Sequence, residues 1–527
     1  MKKYFLKGFS ILIFIGALNA GYSQVDKDVL NWYNSSNTGM STDETHKYLK
    51  KRTPEKVIVA VIDSGIDIEH EDLQGRIWTN EKEIPGNGID DDGNGYIDDI
   101  HGWNFLGNSK GENQGPARLE ATRIYAKLKP RFEGVENAED VSTDDRKDYE
   151  LYLELKEEVE SNLEQYQDVV AQLSQMTTME PMLKGMVAGM LGKDEFTEKD
   201  LKKFKPSNGQ EKQMVELGYA MLNGEFESMM QEQAHAIESM ISHHYNVDYN
   251  DRELIGDDYM NMEDIGYGNN DVEGPDALHG THVGGIIAAL RGNKLGGDGV
   301  SDNAVLMSLR AVPDGDEFDK DVALAIRYAV DNGAKVINAS FGKAYSQLPE
   351  EVYEALRYAE KNDVLFVHAA GNSGQNLDEF PNYPANMFPF QNEPFTNYLS
   401  IGASTRDHEG NLAANFSNYS TTRVDVFAPG FEIYNTVPDN KYQKLQGTSM
   451  AAPMVSGVAA LLRGYFPTLT MAEIRKIIMD SADDFSNTQQ QLPGSMDQVK
   501  FKEMSVTGGV VNVLAAVKLA ETKTVGR

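Results

Sequence analysis

Five apolar, β-branched or helix-period segments follow one another between residues 304 and 370, and their strict alternation is the feature that most restricts the fold. Ala304 to Val312 reads as a strand, Lys320 to Asn332 as a helix, Val336 to Ser340 as a strand, Glu350 to Lys361 as a helix and Val364 to Ala370 as a strand. Strands joined through helices lie parallel, because a crossover returns the chain to the same end of the sheet. The expected fold is therefore α/β, a mostly parallel sheet with helices on both faces. An earlier segment, Lys56 to Ile62 (KVIVAVI), has the same continuous apolar character and stops at Asp63, Ser64 and Gly65. Ligands of such sheets collect at the carboxyl ends of the strands.

The pattern breaks for about two hundred residues between Asp63 and the helical stretch Val283 to Leu290. Within that break, Asp148 to Met176 and Glu211 to His244 carry apolar residues at three-and-four spacing among Glu, Lys and Gln, so they predict amphipathic helices. Residues 108–258 are expected to be a large helical insertion. It is rich in methionine, including Met176, Met179, Met182, Met186, Met190, Met214, Met221, Met229, Met230 and Met240. These side chains suit either a helical core or an adaptable surface that caps a cleft or holds a partner. His235, His243 and His244 read as exposed helix residues.

Charge and cysteine content narrow the chemistry. The 527 residues carry a net charge of −33 and no cysteine. Such acidity argues against nucleic acid or an anionic membrane as partner. Without thiols, disulfides, iron–sulfur clusters and thiolate zinc sites are excluded, and oxygen and imidazole chemistry remains. Residues 1–24 read as an export signal: Lys2, Lys3 and Lys7, the apolar run Phe9 to Leu18, then small residues from Ala20 to Ser23. A secreted or periplasmic protein is expected, with 25–55 as a short lead, 56–107 and 259–527 as two parts of one α/β domain, and no later stretch long enough to span a membrane.

Three segments place a reactive side chain beside glycine, where backbone can turn sharply and approach a ligand. They are Asp63-Ser64-Gly65, His279-Gly280-Thr281-His282-Val283-Gly284-Gly285 and Gly447-Thr448-Ser449-Met450-Ala451-Ala452-Pro453. Alone, Asp63 could be a turn residue and Ser449 a helix cap. Together they offer what nucleophilic catalysis needs: a hydroxyl, an imidazole to take its proton, and a carboxylate to orient the imidazole. His282 reads as a packing or hydrogen-bonding residue; a His279–His282 zinc pair lacks the accompanying glutamate of an H-E-x-x-H motif.

In this order and context, the three segments resemble the subtilisin-like serine proteases. The resemblance implies Asp63 as orienting carboxylate, His279 as general base and acid, and Ser449 as nucleophile. It also implies Asn372, in Ala369-Ala370-Gly371-Asn372-Ser373-Gly374, as the amide donor to the oxyanion. An exported serine endopeptidase acting on proteins or peptides follows; the alternative is a catalytically silent scaffold that binds a partner through the insertion. Ser340-Phe341-Gly342 resembles one substrate-binding edge and Arg310 to Gly315 the other, although Arg310, Ala311, Val312 and Pro313 replace the family's usual glycines. An alignment pinned on Phe380-Pro381 and Tyr383-Pro384 puts Glu379 at the floor of the first specificity pocket, where a buried carboxylate would favour Lys or Arg; the other reading is an exposed loop residue. The long separation of Asp63 from His279 departs from the family, and the insertion is expected to emerge near the cleft.

A further motif, Asp90-Asp91-Asp92-Gly93-Asn94-Gly95-Tyr96-Ile97-Asp98, reads D-x-D-x-N-G-x-I-D, the opening of an EF-hand loop with glycine at its sixth position. It predicts structural calcium on Asp90, Asp92, Asn94, Tyr96 and Asp98. His101 stands where the bidentate glutamate belongs, so Asp99 or water would complete the shell; the alternative is an acidic turn. Subtilisin-like enzymes commonly bind calcium.

Overall fold

A computed structural model describes residues 29–408 and 410–525. The export-signal segment lies outside the described residues. The chain divides into two compact units, Asp26–Lys127 with Asp248–Arg527, and Leu128–Val247.

The first unit is built on a nine-stranded sheet. Its strands include β1 (Val57–Asp63), β2 (Gly102–Asn104), β3 (Ala304–Arg310), β4 (Val336–Ala339), β5 (Leu365–Ala369), β6 (Tyr398–Ser404) and β7 (Val426–Pro429). Beyond the hairpins β8 (Ile433–Val437) with β9 (Lys441–Leu445) and β11 (Gln489–Gln491) with β12 (Gln498–Lys500), the short β10 (Asp483–Asp484) and β13 (Gly509–Val510) complete it. The order is β10-β13-β7-β6-β5-β4-β1-β3-β2, parallel except for β10. β1 pairs with β3 on one side and β4 on the other, so the chain departs from β1 in both directions. Asp63, the last residue of β1, stands at that switch point, where neighbouring crossovers leave a crevice.

The strands are apolar throughout because both faces are covered. Val57, Val59 and Val61 join one core with Ala304 and Leu306; Ala60 and Ile62 join the other with Val305, Met307 and Leu309. This alternation is the two-residue period of a strand. The helices are α1 (Thr42–Leu49), α2 (Glu120–Phe132), α3 (Arg146–Thr178), α4 (Glu180–Met190), α5 (Glu198–Lys203), α6 (Gly209–Asn223), α7 (Glu225–Ser239), α8 (Leu278–Ala288), α9 (Asp319–Asp331), α10 (Pro349–Lys361), α11 (Thr448–Tyr465), α12 (Met471–Asp480) and α13 (Val513–Thr524). Residues of α8, α11, α12 and α13 fill the first core, and residues of α9 and α10 the second.

The lead is a structural part of this unit. Trp32, Tyr33, Met40 and Leu49 are buried in the first core. Tyr33 donates its hydroxyl to the Asp298 carbonyl at 3.0 Å and accepts from Asn435 Nδ2 at 3.1 Å, and the Met40 carbonyl accepts from Val513 N–H.

The compact helical unit, Leu128–Val247, lies within the 108–258 interval expected as the insertion. Residues on both of its flanks are tied to the sheet-bearing unit by buried charge. Arg123, Glu120 and Lys343 form one cluster, with Lys343 Nζ also 2.9 Å from Asp319. Burial opposes the Glu120 carboxylate, yet Arg123 and Lys343 pull its pKa down to about 2. Arg252 bridges Asp257 and Asp321, and Lys320 lies 2.8 Å from Asp257.

The second unit, Leu128–Val247, contains α3 to α7. Glu211 to His244, expected as one helix, is two helices and a final π-helical turn, broken at Gly224 with φ of 77°. Only a residue tolerant of the left-handed region ends α6 there. Met221 and Met230 sit in the core with Leu173, Ala220 and Phe226, whereas Met179, Met182 and Met186 are exposed. His244 is buried, with Nδ1 2.9 Å from Met240 Sδ, correcting the expectation of exposure. Among the described residues, no helix is long and apolar enough to cross a membrane.

Because Tyr33 is fully buried, Tyr33→Ala should destabilise the sheet-bearing unit by about 3–5 kcal/mol, as for other large aromatic truncations. Urea denaturation measures this; a change below about 1 kcal/mol would mean that the lead is dispensable packing.

Candidate active site

The site assembles at the carboxyl end of the sheet. Asp63 ends β1 and is 1% exposed; its Oδ1 accepts from Ser64 N–H at 2.8 Å and lies 2.6 Å from His279 Nδ1. His279 stands in the first turn of α8, and Gly280 lets that turn close on β1: a Cβ there would meet the Gly65 carbonyl oxygen at 2.1 Å. Burial disfavours the charged ring, but the Asp63 carboxylate, through its charge and hydrogen bond, outweighs this with help from Asp276. The His279 pKa is therefore raised above 6.5. The bond to Asp63 leaves Nε2 as the base.

Ser449 opens α11 behind Thr448. Pro453, four residues on, has no N–H to give the Ser449 carbonyl. Ser340 Oγ replaces it, donating to Ser449 O at 2.9 Å. In return Ser449 Oγ donates to Ser340 O at 3.1 Å. The hydroxyl thus rests on a backbone carbonyl of the 340–342 segment. The Asp63–His279 hydrogen bond is formed, and the Ser449 hydroxyl is bonded to Ser340.

Asn372 follows β5. Its Oδ1 accepts from Thr448 N–H at 2.8 Å and from Thr448 Oγ1 at 3.0 Å, while Gly371 N–H donates back to Thr448 Oγ1. This fixes the amide so that Nδ2 is its outward donor, next to the start of α11, whose first N–H groups have no intrahelical partner. Asp63 and His279 thus form one hydrogen-bonded pair, Asn372 holds the residue before Ser449, and Ser340, bonded to Ser449, lines a cleft with Asp63 and His279.

His282, by contrast, is fully buried, and its Nε2 donates to the Ile433 and Gln443 carbonyls. Burial lowers its pKa to about 3, so it is a neutral packing residue. Ser340, Phe341 and Gly342 line a cleft of about 340 Å³ together with His279 and the 312–317 edge. Glu379 does not join them: it is exposed on a turn closed by its N–H to the Asn376 carbonyl, which corrects the expectation of a buried carboxylate. Asn382 stands closer to that place. Its Nδ2 donates to the Ala369 carbonyl at 3.1 Å, and a Cβ on Gly342 would strike its side chain. The Tyr383-Pro384 pair adjoining it was the available sequence signal.

The acidic loop is brought together only in part. Carboxylate oxygens of Asp90 and Asp92 lie within 4.8 Å of one another and of Glu83, a buried residue outside the motif. Glu83 Oε1 accepts from Asp91 and Asp92 N–H, while the buried Oε2 has no hydrogen-bond partner. Asp98 instead accepts from Asn87 and Gly88 N–H, and Asn94 donates to Asp99. The Tyr96 ring packs against Trp103 and Tyr328. Asp99 accepts from Asn80, Asn94 and Tyr328.

Comparison with known proteins agrees with this geometry. The chain is 39% identical over 211 residues to the thermophilic serine proteinase of Bacillus sp. (strain AK1), covering 40% of this chain and 48% of that protein. It is 37% identical over 211 residues to thermitase of Thermoactinomyces vulgaris, 40% of this chain and 69% of the other. It is 31% identical over 300 residues to subtilisin-like protease 1 of Plasmodium vivax, 52% and 44% respectively. The chain thus spans about half the length of several of the curated relatives it matches. The family model, however, matches residues 55–498, most of the chain on either side of the helical unit and across it. By that match, the chain belongs to the subtilase family.

Proposed function

We propose that the protein is an exported serine endopeptidase that cuts polypeptides through an acyl-enzyme on Ser449. The observation that carries this reading is the 2.6 Å bond from Asp63 to His279 beside a serine at a helix start and an oriented Asn372 amide. Ser449 Oγ attacks the peptide carbonyl as its proton passes to His279 Nε2. The imidazolium is stabilised by Asp63. Asn372 Nδ2 and the Ser449 N–H stabilise the tetrahedral oxyanion. His279 then protonates the leaving amine, and water, deprotonated by the same ring, releases the acyl group. Export rests on the pattern of residues 1–24. The exposed Met179, Met182 and Met186 support a partner-binding role for the helical unit.

Calcium fits the acidic loop. Glu83, Asp90 and Asp92 supply oxygens of the kind calcium takes, and the unpartnered Glu83 Oε2 is a ligand atom in waiting. The ion would brace the loop between β1 and β2 and take no part in the chemistry.

Three outcomes are expected. Ser449→Ala should lose labelling by an active-site phosphonate and at least about 10⁴-fold in kcat on casein, and Asn372→Ala about 10²–10³-fold, the usual loss for one oxyanion donor. Labelling that survives Ser449→Ala would place the nucleophile elsewhere, and a folded wild-type protein that never labels would favour the scaffold alternative. Since only the neutral ring accepts a proton, kcat/KM should rise with pH through a midpoint above 6.5; a midpoint at or below that value contradicts the coupling to Asp63. Chelation should lower the melting temperature, with saturating calcium adding about 2.7 kcal/mol at a hundredfold excess over Kd. Asp92→Asn should abolish that difference, and a chelator-insensitive wild type would remove calcium from the loop.

A further inference from the structure

The 314–317 edge of the cleft is held in place by the chain that leads into the helical unit. Asp314 N–H donates to the Gly115 carbonyl at 2.9 Å, and Ala117 N–H donates to the Asp314 carbonyl at 2.8 Å. Glu120 N–H, at the start of α2, donates to Asp316 Oδ2 at 2.7 Å. Arg123, three residues on, is 1% exposed and gives one terminal nitrogen to the Asp316 carbonyl and the other to the Glu317 carbonyl, each at 3.0 Å. A planar fork can hold two consecutive carbonyls at once, which the point charge of a lysine cannot. The same guanidinium lies 4.1 Å from the centroid of the Phe318 ring.

The chain that returns from the helical unit grips the same stretch. Asp251 accepts from Arg118 N–H at 2.6 Å and from Arg118 Nε at 2.7 Å, which ties the two flanks to each other. Arg252, also buried, donates to both Asp321 oxygens at 2.9 and 3.1 Å and lies 4.6 Å from the Phe318 centroid. Phe318 thus meets a guanidinium from each flank. α2 makes this more than a local brace. It runs from Glu120 to Phe132 and stays helical through Pro130, so it begins in the sheet-bearing unit and ends, past Leu128, in the helical one. At its far end Phe132 is buried against Tyr149 and Tyr152 of α3, and Arg131 pairs with Asp145 and Asp148. At 1.5 Å per residue, Arg123 and Phe132 are roughly 14 Å apart along the helix. A rigid element fixed by packing at both ends carries displacement from one end to the other.

Resting on the endopeptidase reading above, we infer that α2 is the element through which the helical unit regulates peptide capture at the 314–317 edge, with Arg123 as the positioning residue. Arg123 fixes the Asp316 and Glu317 carbonyls, and with them the backbone on that side of the cleft. A shift at the Phe132 end of α2 turns the guanidinium away from those carbonyls and loosens the edge. Asp63, His279, Ser449 and Asn372 take their hydrogen bonds from other segments, so the effect falls on KM and spares kcat. The coupling is reciprocal: peptide held at the edge steadies the helical unit by the same factor.

A double-mutant cycle on the full chain provides the test, with a fluorogenic peptide that carries the four residues upstream of a bond cut in casein. Arg123→Lys keeps the charge and loses the fork; it should raise KM about 5-fold to 50-fold, the usual size of a coupling between sites, with kcat within about twofold of wild type. Phe132→Ala, inside the helical unit, should raise KM at least about threefold in the wild-type background and leave it unchanged in the Arg123→Lys background, because the path is already cut. Melting temperature and phosphonate labelling report whether each variant is folded, and Arg131→Ala, at a solvent-exposed position, takes the place of a Phe132→Ala that does not fold. An unchanged KM in Arg123→Lys, a fall in kcat that matches the rise in KM, or a Phe132→Ala effect that is absent or that multiplies in full with Arg123→Lys would overturn the inference. A wild-type protein that neither labels nor cuts the peptide would instead overturn the endopeptidase reading.

Discussion

Parallel pairing of β1 with β3 on one side and β4 on the other fixes where Asp63 stands, and the site is arranged around that residue. The register sets Asp63 beside Arg310, whose guanidinium holds the Ser64 carbonyl and so the turn after β1. Gly280 lets α8 come close enough to the Gly65 carbonyl for His279 to reach the carboxylate, across 216 residues of sequence. β4 and β5 run on into the Ser340 and Asn372 segments, and both segments hold the start of α11. One sheet thereby supplies, through the ends of three neighbouring strands, contacts to the groups on which the proposed chemistry at Ser449 rests.

Proline at position 453 shows how local sequence rules shape the surroundings of Ser449. Its missing N–H frees the Ser449 carbonyl, and the Ser340 hydroxyl fills the vacancy while its own carbonyl receives the Ser449 hydroxyl. Ser340 is in turn fixed by Asn338, which is fixed by Ser456 of α11. The chain of hydrogen bonds starts and ends on α11, so the 340–342 segment and Ser449 are positioned as one piece.

Much of this was legible in the sequence, and the reason is local. The strands announce themselves by continuous apolar runs, and Asp63, His279, Ser449 and Asn372 each sit among glycines that a close approach demands. What was not legible depended on partners far apart in the chain. Glu83 lies outside the acidic motif and meets Asp90 and Asp92 only through folding. Glu120 and Lys343 are 223 residues apart, and nothing about either alone signals a buried pair. Such pairs cost desolvation and are strongly disruptive when one partner is lost, which is why they anchor the segments flanking the helical unit rather than show as a pattern. Glu379 was misplaced because a count along a loop cannot tell a turn from a pocket wall. The burial of the lead was not legible because Trp32, Tyr33 and Met40 show no helix or strand period.

The central claim is that Ser449 Oγ and His279 Nε2 converge on one carbonyl. A peptidyl chloromethyl ketone tests it directly: Oγ adds to the ketone while Nε2 displaces chloride from the adjacent carbon, so both atoms must reach one small group. Peptide mapping by mass spectrometry should find a single alkylated residue, His279, in the wild-type protein and none in Ser449→Ala. Alkylation of another histidine, such as His70 or His101, or no adduct on folded protein, would contradict the account.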